Sequence, residues 1–234
     1  SLSTTNTANT PKLSDWTVTS YESTDTTVES VWSNTVFSTQ DATAPTSSVS
    51  ALTTPQATTS FTVSWSKADA TSGVATTRLY YSREGGAYTE YGSGYTGTGT
   101  TFDIATTGGD GTYDFYTRAA DGVGNTEATP GTADRTIEVD TTAPTSSAGT
   151  LDSYYTTITI SVPYTSSDGI GTGVQNVNLW YRRRTLAGGT WSAWTQYVGS
   201  YTSSPITFDT SLAYGNGVYE FYTRATDGVP WTEA

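Results

Sequence analysis

Gly111-Thr-Tyr-Asp-Phe-Tyr-Thr-Arg-Ala-Ala-Asp-Gly-Val123 and Gly217-Val-Tyr-Glu-Phe-Tyr-Thr-Arg-Ala-Thr-Asp-Gly-Val229 are near copies of one another. A long internal repeat fixes the unit of folding before any residue is given a role. Within the first copy Tyr113, Phe115, Thr117 and Ala119 alternate with Asp114, Tyr116 and Arg118. Period two is the mark of a β-strand with one face on a core, so the first four residues are expected inside and the others outside.

The correspondence extends upstream. Asp41-Ala-Thr-Ala-Pro45-Thr-Ser-Ser matches Asp140-Thr-Thr-Ala-Pro144-Thr-Ser-Ser, and Phe61, Val63 and Trp65 match Ile160, Val162 and Tyr164. Asp69 and Gly73-Val74 match Asp168 and Gly173-Val174, followed by Leu79-Tyr80-Tyr81 against Leu179-Trp180-Tyr181. The second copy carries a longer hairpin from Arg182 to Trp191, the kind of insertion that loops absorb and strands do not. The division is thus 41–140 and 141–234, preceded by an extended segment over 1–40. After its repeated strand the first unit continues into Ala133-Asp-Arg-Thr-Ile-Glu-Val-Asp140, whereas the second reaches Glu233-Ala234, so the second is expected to lack its last strand within the chain.

Six or seven short strands in a unit of about 100 residues point to an all-β chain of tandem immunoglobulin or fibronectin III-like β-sandwiches. Tyr113 and Tyr219, each opening the penultimate strand behind a glycine, have the placement of a tyrosine corner. The Asp-Thr-Thr-Ala-Pro linker, the Ser72-Gly-Val74 turn and the run Arg118 to Glu127 resemble the bacterial and archaeal Ig-like repeats of large surface proteins. That resemblance covers roughly residues 41–234 and implies an extracellular, cell-surface location. Members of that family act as stalks, adhesins, sheath or filament components and accessory modules of secreted enzymes.

Composition narrows the chemistry. With no His and no Cys, neither a Ser-His-Asp nor a Cys-His arrangement is available, and no disulfide or imidazole ligand exists. The chain is read as not an enzyme. A net charge of −12 argues against nucleic acid or an anionic membrane as partner. No apolar run reaches the roughly 20 residues of a membrane span. The one basic run, Arg182-Arg183-Arg184, reads as a solvated strand edge.

Hard oxygen donors are what Ca²⁺ takes, and in an Ig-like topology the entering linker and two loops lie at one end. That gathers Asp41, Asp69, Asp121 and Asn125 in the first unit, and Asp140, Asp168 and Asp227 in the second. The resemblance adds that related repeats bind calcium through such acids. The first set is expected to bind better, because the second has Pro230-Trp231 in place of Gly124-Asn125. Asp-Gly and Gly-Asn also make turns without any metal.

Aromatic and apolar residues without a repeat counterpart mark interfaces: Trp191 and Trp231 in the second unit, and Trp16, Val18, Val31, Val36 and Phe37 in the leading segment. Exposed aromatics can also stack on sugars, and the many Ser and Thr side chains offer O-linked glycan sites. The leading expectation is a structural subunit of an extracellular filament, sheath or surface layer, homopolymerising head to tail by β-strand donation. The donor is sought in Thr27 to Gln40, or in the neighbouring Trp16 to Tyr21. The alternative is an Ig-like spacer, or a carbohydrate- or adhesion-binding fragment, of a longer secreted or cell-surface protein.

Overall fold

The computed structural model describes residues 40–229 and 231–234. It is all-β, with fourteen strands in antiparallel sheets and only two short 3₁₀ turns, Ile104–Thr106 and Thr210–Ala213. The first unit comprises β1 (Thr46–Val49), β2 (Ser60–Ala68), β3 (Val74–Arg83), β4 (Thr89–Tyr95), β5 (Gly99–Asp103), β6 (Gly111–Asp121) and β7 (Arg135–Val139). Two sheets, β1-β2-β5 and β4-β3-β6-β7, hold one core between them.

That core follows from the alternation. Phe61, Val63 and Trp65 of β2 point inward with Thr62 and Ser66 outward, while Leu79, Tyr113 and Phe115 close from the other sheet. Tyr113, Phe115, Thr117 and Ala119 are all buried, the face assigned from the sequence. The Tyr113 hydroxyl donates to the Gly109 carbonyl at 2.6 Å, pinning the entry of β6 as a tyrosine corner does. Ile137 and Val139 of β7 complete the core at its edge.

The second unit runs β8 (Thr145–Ala148), β9 (Thr159–Val162), β10 (Tyr164–Ser167), β11 (Val174–Arg184), β12 (Thr195–Gln196), β13 (Ile206–Asp209) and β14 (Val218–Asp227). Pro163 stands where β2 has Ser64. Lacking an N–H, it interrupts the equivalent strand, so β9 pairs with β13 and β10 with β8. The remaining sheet is β12-β11-β14. Tyr219 donates to the carbonyls of Gly215 and Ala213, repeating the corner.

The units diverge at β14. In the first, β6 is flanked by β3 and β7; in the second, β14 pairs with β11 and with no strand on its other side among the described residues. Tyr219 and Phe221 are accordingly half-buried, although their counterparts Tyr113 and Phe115 are 0% exposed. Trp180 and Tyr222 stack on the outer face with ring centroids 5.8 Å apart, as Tyr80 and Tyr116 do at 4.9 Å.

Candidate functional site

Each linker brings its aspartate against two loops of the unit it enters, as the topology requires. One carboxylate oxygen from each of Asp41, Asp69 and Asp121 lies within 4.8 Å of the others, and the same holds for Asp140, Asp168 and Asp227. The two triads differ in what already occupies their oxygens.

In the first unit, Asp121 Oδ1 accepts from the N–H groups of Val123, Gly124 and Asn125, and Oδ2 accepts from the Asn125 side chain at 2.7 Å. The same amide donates to the Asp41 carbonyl at 3.3 Å. Asn125 therefore presents its nitrogen to the cluster as a donor, rather than the oxygen that a metal ligand would offer. Burial pushes the Asp121 carboxyl up, but Asn125 and the three N–H donors outweigh it and hold the group below its usual range. Ser72 and the Thr43 N–H do the same for Asp41. Asp69 receives the Gly73 N–H at 2.6 Å. Hydrogen-bond donors thus compensate much of this charge.

In the second unit, Trp231 stands where the first has Asn125. Its indole N–H donates to the Asp140 carbonyl at 3.3 Å, reproducing the Asn125 contact to Asp41. An indole has one N–H and an amide has two. Nothing remains to serve Asp227 Oδ2, which is buried without a hydrogen-bond partner, and Asp168 Oδ1 is in the same state. The other oxygens are partnered: Asp227 Oδ1 by the N–H groups of Val229 and Trp231, Asp168 Oδ2 by Gly173, and Asp140 Oδ2 by the N–H and hydroxyl of Thr172. Asp140 and Asp227 are both fully buried.

Burial, joined by the negative charges of Asp140 and Asp227, raises the Asp168 carboxyl above its ordinary value. The backbone packs tightly here: a Cβ at Gly171 would lie 2.6 Å from Asp168 Oδ2 and 2.9 Å from Asp140 Cγ. Buried carboxylate oxygens need a partner, and a hard cation can supply one to the two that have no donor. Two buried oxygens of the Asp140, Asp168 and Asp227 group thus lack a donor, whereas among the described residues no oxygen of Asp41, Asp69 or Asp121 is buried without one.

The aromatic candidates are placed by the same hairpin and loop. Trp191 lies beneath the guanidinium groups of Arg182 and Arg184, with centroid distances of 4.8 and 4.9 Å, and Arg182 also covers Trp194 at 4.8 Å. Arg182 pairs with Glu220 at 2.5 Å. The basic run is therefore a cation–π and cross-strand ladder on β11. Trp231 is 39% exposed and sits over the linker of its own unit. Trp16, Val18, Val31, Val36 and Phe37 lie outside the described residues.

The open flank of β14 is a second site. In the first unit, β7 lies between β6 and Gln56: Gln56 N–H donates to Glu138, and Asp140 N–H donates to Gln56. In the second unit Tyr219 and Phe221 of β14, and Leu151 and Tyr155 of the loop that corresponds to the one bearing Gln56, are partly buried and pack against the core. Three carboxylates to which the sequence assigned no role matter here. Glu127 caps the Ser47 and Ala119 N–H groups, and its counterpart Glu233 takes the Ser146 hydroxyl and the Ala225 N–H. Asp134, just before β7, accepts from Val49 and Thr117 N–H at 2.9 and 3.2 Å, bridging the two sheets. Glu127 has a repeat-equivalent acid in Glu233; Asp134 precedes a strand with no counterpart among the described residues of the second unit, so comparing the two copies could not single it out.

Comparison with protein-family models, curated proteins and solved structures finds no match to this chain. No helix of the described residues is long and apolar enough to cross a membrane.

Proposed function

We propose that this chain is a non-enzymatic structural subunit of an extracellular filament, sheath or surface layer, built from tandem Ig-like sandwiches that join head to tail. The observation that carries the reading is the open flank of β14, where Tyr219 and Phe221 stay half-exposed although the same residues of the first unit are sealed by β7. A strand edge with unpaired N–H and C=O groups beside partly buried apolar side chains is a template for another strand. A contact in which one copy's leading segment fills the next copy's second unit is heterologous, so it propagates without closing. Ca²⁺ at Asp140, Asp168 and Asp227 stiffens each subunit by tying the linker between its units to the loops of the second. Exposed Ser and Thr supply the surface for O-linked glycans.

Electron microscopy of the purified chain over 1–234, with and without Ca²⁺, tests the reading. Regular fibres or sheets support it. Monodisperse particles at all concentrations contradict it and favour a spacer or binding module of a longer surface protein, whose own continuing residues then cover β14.

A further inference from the structure

Strand β7 has requirements that its neighbours set. It places Asp134 where one carboxylate oxygen takes the N–H groups of Val49 and Thr117, Thr136 where its hydroxyl donates to Asp114 at 2.5 Å, and Ile137 where the core is sealed opposite Tyr113. The second unit repeats the receiving side with Thr223 for Thr117, Glu220 for Asp114 and Tyr219 for Tyr113. Whatever covers β14 meets the partly buried ring of Tyr219, an acceptor in the Glu220 oxygen that Arg182 does not hold and, at Thr223, an outward N–H with no side-chain acceptor among the described residues. An Asp-x-Thr-apolar-Glu segment answers these demands in order.

The chain contains that sequence once more. Asp25-Thr-Thr-Val-Glu29 matches Asp134-Arg-Thr-Ile-Glu138 position by position. Resting on the assembly reading above, we propose that the strand added to β14 is Asp25–Ser30 of a second copy, in the register of β7. Asp25 takes the place of Asp134, Thr27 lies opposite Glu220, and Val28 lies opposite Tyr219. Ser30 falls where the first unit has Val139, the residue that bridges to Gln56, whose counterpart in the second unit is Tyr155. The stretch adjoining the linker is the poorer fit. Aligned through Asp41 and Asp140, it puts Ser38 and Gln40 in the places of Ile137 and Val139, two polar residues where the core needs apolar ones. Residues 31–40 then form a tether of roughly 33 Å at full extension between the donated strand and the first unit.

Because the chain has no cysteine, the register can be read by crosslinking. A full-length Thr27→Cys/Glu220→Cys variant, oxidised after assembly, is expected to give a ladder of covalent multimers that reductant collapses. The one-residue slip Thr26→Cys/Glu220→Cys should give at least tenfold less, since a slip turns the side chain to the other face. Val28→Asp should abolish fibres while Val36→Asp leaves them. Fibres without the ladder, or fibres that survive Val28→Asp and are lost with Val36→Asp, overturn this register and leave the assembly reading standing. If the unmodified chain forms no fibres, the assembly reading fails and this inference falls with it.

Discussion

The two units share a tyrosine corner, a cross-sheet core and an acidic triad at the linker, yet they differ in the partners of that triad and in what covers the repeated strand. In the first, Asn125 donates to Asp121 and β7 covers β6; in the second, Trp231 leaves Asp227 Oδ2 without a partner and no described strand covers β14. Repetition fixed the fold of both, and the differences between the units lie where the repeat breaks.

The largest expected difference lies in the core. Phe115→Ala should cost the first unit about 3–5 kcal/mol, the usual loss for a fully buried aromatic. Phe221→Ala in the unassembled chain should cost less, because its partial exposure leaves less apolar area to lose. Chemical denaturation of the two variants checks this, and equal losses would break the comparison. In assembled material the Phe221 loss should rise towards that of Phe115.

Next comes the metal. Calcium at a hundredfold excess over its dissociation constant should stabilise the second unit by about 2.7 kcal/mol, with a smaller effect on the first. Asp227→Asn should remove the response. The same change should also raise the melting temperature of the metal-free second unit, since it removes an uncompensated buried charge while Oδ1 keeps the Val229 and Trp231 N–H groups. Asp121→Asn should act in the opposite direction, by setting two amide NH₂ groups against each other at Asn125. Differential scanning calorimetry of the pair reads both signs.

The smallest effect is in acid. Asp168 is raised above 3.8 in the fold, so without metal it binds more protons folded than unfolded between 3.8 and its folded value. Its contribution to stability in that window therefore increases as pH falls. Asp41 and Asp121 are lowered below 3.8, so their contribution is present above 3.8 and is lost as pH falls through their folded values. Metal-free acid titration should show the first unit weakening in acid while the Asp168 contribution moves the other way, and added Ca²⁺ should abolish the latter.

Much of this was legible in the sequence, because period-two burial and the tyrosine corner depend on residue type and spacing alone. Phe61, Val63, Trp65, Tyr113 and Phe115 lie where alternation puts them. The grouping of Asp140, Asp168 and Asp227 followed from topology. Which of the two triads leaves buried oxygens without donors did not, because it depends on how many N–H groups a side chain can aim at one oxygen, and Asn125 and Trp231 differ in that respect only once their positions are known. The break of the β2-like strand at Pro163 and the stacking of Arg182 and Arg184 on Trp191 likewise needed three dimensions, since the partners are set by pairing register.

Amide hydrogen exchange tests the central claim most directly. The N–H groups of Tyr219, Phe221 and Thr223 point to the open flank, whereas those of Tyr113, Phe115 and Thr117 meet β7 or Asp134. In dispersed subunits the first three should exchange much faster than the second three, and on assembly they should become equally slow. If all six are protected in the dispersed chain, the second unit already has its last strand and the account is wrong. Fast exchange of the first three in assembled material would equally contradict it.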